Sequence, residues 1–268
     1  MSMTLLARVI PVSAIPSSRF RHVLRREVLA AKSWALTILT GFFEPVFYLF
    51  SLGVGLGGLI GTVTYQGVEV EFVQFVAPGL LAASAMNGAI FESTMNCFYK
   101  LTMAKTFDAM LQTPLQPGDV AAGEIAYAQA RGTLYSAVFL AIMALLGYVA
   151  SPWGILALPV CMLIGFAFSA FGLTLTTYMR SWADFDLIFT GVLPVFLLST
   201  TFFPIEVYPV AVRPIVWLSP LYHGVELVRA ATLGIADWTL AIHLAVLVVL
   251  AVVGTLMTGR RLEKLLLR

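Results

Sequence analysis

Apolar runs separated by short polar stretches recur along the chain, and their lengths decide what each can form. A helix crossing a bilayer needs about 20 predominantly apolar residues. Runs close to that length lie at about 34–60, 72–98, 133–149, 153–178, 185–201 and 238–257. The stretch 201–234, TFFPIEVYPVAVRPIVWLSPLYHGVELVRAATLG, is also apolar but cannot cross as a simple helix. Pro204, Pro209, Pro214 and Pro220 punctuate it, and each proline removes a backbone donor and tends to end or kink a helix. The pieces 207–217 and 221–233 hold only 11 and 13 residues. Two readings fit: a re-entrant or interfacial hairpin of short helices, or an amphipathic external loop on the membrane.

The polar stretches add orientation. Residues 17–33 can be drawn as a helix with Phe20, Val23, Leu24, Val28 and Ala31 on one side and Arg19, Arg21, Arg25, Arg26 and Lys32 on the other; Glu27 and Leu29 spoil the separation. A basic amphipathic helix of this kind lies on an anionic membrane surface. Because a span follows at once, a nucleic-acid-binding arm is the poorer reading. Of the 16 Lys and Arg residues, Arg131 falls within the third span, and six spans with both termini inside leave only Arg213 and Arg229 outside. The remaining 13 are inside, as the positive-inside rule requires. A seventh span through the hairpin would put the basic tail outside. The expected organisation is an all-α membrane protein: a segment 1–33 with an interfacial helix, a six-span domain 34–258 with an inner segment 100–119 and an outer hairpin 202–234, and a basic tail 259–268.

Composition agrees. The 268 residues are 60% hydrophobic and 11% charged, with mean hydropathy +0.93, against about 25% charged in soluble domains. Cys97 and Cys161 sit in apolar runs and read as small core residues, and no Cys/His cluster suggests a metal. Charges inside spans are functional hypotheses by default. Glu44 precedes Pro45 and either lines a pathway or bonds a neighbouring helix. Glu92, near an inner end, is expected to reach the interface, and Arg131 to snorkel. Asp184 and Asp186 suit a helix N-terminus. His223 and His243 read as lone structural residues, whereas Glu226 and Arg229, three apart, can pair on one turn. The chain has no G-x-x-x-x-G-K-[ST] loop, nucleophile elbow or zinc-protease motif. ATP-driven transport would therefore need another chain to hydrolyse the nucleotide. A proton-coupled secondary transporter working through Glu44 or Glu92 is the alternative, although no inverted repeat supports it.

Two stretches carry a resemblance. The Phe-Phe-Pro of 202–204 with the following PLYHGVELVR resembles the signature before the last span of type-2 ABC exporter permeases, especially their nodulation-factor and drug-export branch. FDAMLQTPLQPGD, residues 107–119, resembles that family's cytoplasmic segment between spans two and three. The resemblance implies a permease that exports amphiphilic cargo across the cytoplasmic membrane, such as a drug, a glycolipid or a polysaccharide precursor. It also implies two copies of a separate ATP-binding subunit carrying ATP and magnesium, a second permease, likewise a copy of this chain, and no cofactor on this chain. Phe107, Asp108, Met110, Leu111, Thr113 and Pro114, with Arg25 and Arg26, would form the coupling surface. Phe107, Met110 and Leu111 fall at helical spacing as an apolar patch expected to face the ATPase. Glu44, Phe47, Phe196, Phe202 and Phe203 would line the cargo path. Pro204, Pro209, Pro220, Glu226 and Arg229 would shape the hairpin.

Overall fold

The computed structural model describes residues 17–30, 43 and 46–266. Glu44, Pro45 and residues 34–42 of the first expected span lie outside the described residues. The helices are α1 (Phe20–Ala30), α2 (Val46–Ile60), α3 (Phe72–Met103), α4 (Thr106–Leu111), α5 (Pro117–Leu145), α6 (Pro152–Thr176), α7 (Asp184–Leu197), α8 (Arg213–Leu218), α9 (Pro220–Leu233) and α10 (Leu240–Leu266). Among the described residues, α3, α5, α6 and α10 are long and apolar enough to cross a membrane. Polar pattern explains the layout: α6 packs against α3, α5 and α10, and the side of α10 turned away from them stays apolar and exposed.

Local chemistry sets several boundaries. Residues 61–71, expected as a short acidic loop, form an antiparallel hairpin of β1 (Thr62–Tyr65) and β2 (Val68–Glu71). Both strands are rich in β-branched residues, and Gln66 and Gly67 between them both have positive φ, the geometry of a two-residue type I′ turn. Among the described residues the fold is therefore helical with one small β-hairpin. The expected polar loop after the second span is also shorter. α3 runs on to Met103 through two π-helical segments, Glu92–Asn96 and Tyr99–Met103. α5 begins early, at Pro117, where Gln116 and Asp119 form a capping box.

The expected fifth span, 185–201, is only the 14-residue α7. At 1.5 Å per residue it is about 21 Å long, short of the roughly 30 Å hydrocarbon core. It stops there because Ser199, Thr200 and Thr201 turn inward and are fully buried. Thr200 has φ +58, unusual for a β-branched residue. Gly79 on α3 permits this: a Cβ there would lie 2.9 Å from the Thr201 Cα.

Pro214 and Pro220 start helices rather than ending them, each in the first turn, where the missing N–H costs nothing. Pro204 is buried and Pro209 exposed. The motif PLYHGVELVR is α9, and Leu221 through Ala230 are all buried. α9 is enclosed by α3, α6, α8 and α10, so it is not a helix lying on the surface.

Candidate coupling platform and cargo cleft

At the end of the molecule opposite the β-hairpin, α1 lies along α5. The contact is close because Gly123 leaves no side chain: a Cβ there would be 2.4 Å from the Val23 Cβ. Glu27, which spoiled the amphipathic pattern of α1, is buried on this same face. It meets Lys100, whose Nζ lies 2.6 Å from Glu27 and 2.7 Å from Glu124 of α5. Arg26 reaches Glu27 at 2.5 Å from the exposed side. Ser17 donates its N–H and hydroxyl to Asp119 at 2.7 and 2.8 Å, and Arg19 donates to the Pro114 carbonyl. Lys100, expected in a solvated loop, is thus a buried tie between three helices. Its partners lie 73 and 24 residues away in sequence, a separation that periodicity cannot show.

The coupling segment needs a correction. Phe107 and Met110 are buried, and they pack with Val23, Cys97, Val120 and Leu262. Their apolar side is satisfied within the chain, so it is not a free patch. Leu111 is half-buried, and Asp108, Gln112, Thr113 and Pro114 are exposed. Arg25 and Arg26 are exposed on α1. The outward surface of residues 108–114 is consequently mainly polar, carried on a platform knitted by the buried cluster.

Higher up α3 and α5 lies a cleft of about 560 Å³, within the range of small-molecule sites. Its walls are mostly apolar, from Leu80 and Phe91 of α3 to Phe189, Leu193 and Phe196 of α7, with Tyr48 of α2 on one side. From Leu80 to Glu92 it follows α3 for about 18 Å. At the end nearer the platform Glu92 and Arg131 form an ion pair. Asn96 also donates to Glu92, and Arg131 donates to the Tyr135 hydroxyl at 2.9 Å. The Arg131 guanidinium lies 5.9 and 5.8 Å from the ring centres of Tyr127 and Tyr135. Neither charge reaches an interface alone as the sequence suggested, since Glu92 is buried and α5 brings Arg131 to it. Glu92 opens a π-helical segment, a feature frequent at functional sites.

Of the residues expected on a cargo path, Phe196 lines the cleft. Phe202 stacks edge-on against Phe196 at 5.4 Å, and Phe203 follows at 6.5 Å. Phe47 is exposed and packs on Phe43. Glu44 lies outside the described residues.

A second polar network closes the β-hairpin end. Glu226 accepts from Tyr65 at 2.6 Å, from Thr200 at 3.1 Å and from Arg229 at 2.7 Å. Arg229, fully buried, also donates to the carbonyls of Phe75 and Thr200 and lies 3.9 Å from the centre of the Phe75 ring. Burial and the adjacent Glu226 carboxylate push the Tyr65 phenol well above its ordinary pKa. Sequence spacing found the Glu226–Arg229 pair, but Tyr65 and Thr200 carried no local signal. His223 and His243 are not lone residues either, for their Nδ1 atoms lie 2.7 Å apart. Among the described residues no group of three or more His, Cys, Asp or Glu is placed to hold a metal.

Comparison with known proteins gives one consistent picture. The family model described as ABC-2 type transporter matches residues 18–233. Nodulation protein J of Rhizobium leguminosarum bv. viciae is 36% identical over 248 residues, 92% of this chain and 94% of that protein. Its namesake in Rhizobium leguminosarum bv. trifolii is 34% identical, over 96% and 98%. The inner membrane transport permease YadH of Escherichia coli (strain K12) is 24% identical, over 82% and 84%.

Proposed function

We propose, on the premise that the chain belongs to the ABC-2 type transporter family, that it is the membrane half of an ATP-driven exporter of amphiphilic cargo. Four apolar helices and that membership make it a multi-pass membrane protein. In this reading α2, and α7 extended by the largely buried turn 198–201, complete six crossings. The platform end, with both termini, faces the cytoplasm, and α8 and α9 re-enter from the other side. Two copies of the chain pair with two ATP-binding subunits, which dock on the polar surface of α1 and α4. The chain itself has no phosphate-binding loop.

One observation supports this reading above the others: platform and cleft share a single rod. Asp119, Glu124 and Arg131 lie along α5. The first two tie it to Ser17, just ahead of α1, and to Lys100 of α3, and the third stands in the cleft. Glu124 and Arg131 are seven residues apart, about 10 Å along one helix face. A displacement imposed on α1 and α4 is therefore passed directly to the cleft's charged end.

The test is transport into inverted vesicles holding the chain with its ATP-binding partner. ATP should drive accumulation of a fluorescent amphiphile, and collapse of the proton gradient should leave it intact. Asp108→Lys and Arg25→Glu should weaken co-purification of the partner and lower transport together. Accumulation that follows the proton gradient without ATP would overturn the reading in favour of a secondary transporter.

A further inference from the structure

The charges in the cleft constrain its occupant. Among the described residues lining it, Glu92 and Arg131 alone are charged, and they are of opposite sign and joined. The cleft as described therefore carries no net charge. Its hydrogen-bonding capacity is nevertheless not exhausted. Arg131 Nε is buried with no partner among the described residues, and Ser84 and Asn87 line the wall. Asn87 is exposed to the cleft side and Ser84 partly so. An entering head with a net charge would be left uncompensated against apolar walls, which is costly. A head with balanced donors and acceptors could take the Arg131 Nε–H, Ser84 and Asn87 without leaving any charge unpaired.

Resting on the exporter reading, we infer that the cleft is a selective site for amphiphiles whose polar head has no net charge. Glu92 and Arg131 set that selectivity as a pair. The acyl part lies along Leu80 and Phe196, and the head sits at the ion pair. Arg131 supplies the donor, and Glu92 cancels the guanidinium charge that would otherwise draw anions.

Single-chain amphiphiles with one tail and four heads test this: dodecyl maltoside, dodecyl phosphocholine, dodecyl sulfate and dodecyl trimethylammonium. Each competes with radiolabelled dodecyl maltoside for the full chain in lipid nanodiscs, with partition into empty nanodiscs subtracted. The maltoside and the phosphocholine should compete at least about tenfold more tightly than the two charged heads, a difference of about 1.4 kcal/mol. Glu92→Gln should turn the preference toward the sulfate and Arg131→Gln toward the trimethylammonium. If either variant fails to fold, Asn87→Lys and Asn87→Asp, at an exposed wall position, should produce the same two reversals. Asn87→Trp should abolish competition by filling the cleft. A wild-type preference for either charged head, an order unmoved by these substitutions, or full binding to Asn87→Trp would overturn the inference. Binding needs no ATP, so these results stand apart from the transport test. Selective binding without ATP-driven movement would sink the exporter reading alone.

Discussion

Phe107 and Asp108 are neighbours in the chain with opposite environments, one buried against Val23 and Leu262 and the other exposed. Their substitutions should separate stability from coupling. Phe107→Ala should cost about 3–5 kcal/mol and lower the melting temperature of the purified chain. Asp108→Lys should leave melting unchanged and weaken the ATP-binding partner's hold. Unchanged melting in Phe107→Ala would mean that the pocket does not bear on the fold. The ion pairs divide in the same way. Glu226→Gln strands the fully buried Arg229 and should cost about 3–5 kcal/mol. Arg26→Gln, at an exposed partner of Glu27, should change stability by less than about 1 kcal/mol. Tyr65 adds a pH signature. A phenol whose pKa is raised by folding contributes stability that is complete below its ordinary value of about 10 and fades as pH rises above it. Tyr65→Phe should therefore flatten the alkaline side of the stability profile measured by thermal denaturation. The Glu226–Arg229 pair was readable beforehand because a spacing of three is a property of one helix turn. The ties from Glu27 to Lys100 and from Glu92 to Arg131 were not, because they join helices whose register depends on packing.

At the scale of elements, long apolar helices could be read from run length, and their ends could not. α3 extends beyond its apolar run because Lys100 finds Glu27 and Glu124 and need not seek water. α7 ends early because Thr200 is needed in the buried network, where its hydroxyl donates to Glu226 and its carbonyl accepts from Arg229. The β-hairpin was legible in principle from the alternation in TVTY and VEVE around Gln-Gly, but its acidic residues suggested an ordinary loop. α1 gives the sharpest element-level test. Gly123→Leu would drive a side chain into Val23 and lift α1 off α5. Limited proteolysis should then cut within residues 20–30, while the melting of the long helices holds. Protection equal to wild type would show that α1 is not held by this contact.

At the scale of the whole molecule, sidedness can be checked with single cysteines in a background lacking Cys97 and Cys161. Cysteines at Gly67 and Val210 should react with an impermeant thiol reagent from outside, and one at Gln112 only from inside. Labelling of Gln112 from outside would invert the arrangement. The enclosed α9 has a further consequence, for the order in which the protein is built. With Glu226 and Arg229 in its middle, α9 would meet a heavy insertion penalty in bare lipid, about 2.5–3.5 kcal/mol for each charge near the centre of a membrane helix. The groups that satisfy those charges are Tyr65, Phe75 and Thr200, all earlier in the chain. Synthesis therefore delivers the β-hairpin, α3 and the end of α7 before α9 leaves the ribosome, so α9 can slot sideways into a seat already standing. On the re-entrant reading, biogenesis of this segment is an assembly step, completed when α10 follows and closes the side on which His243 meets His223.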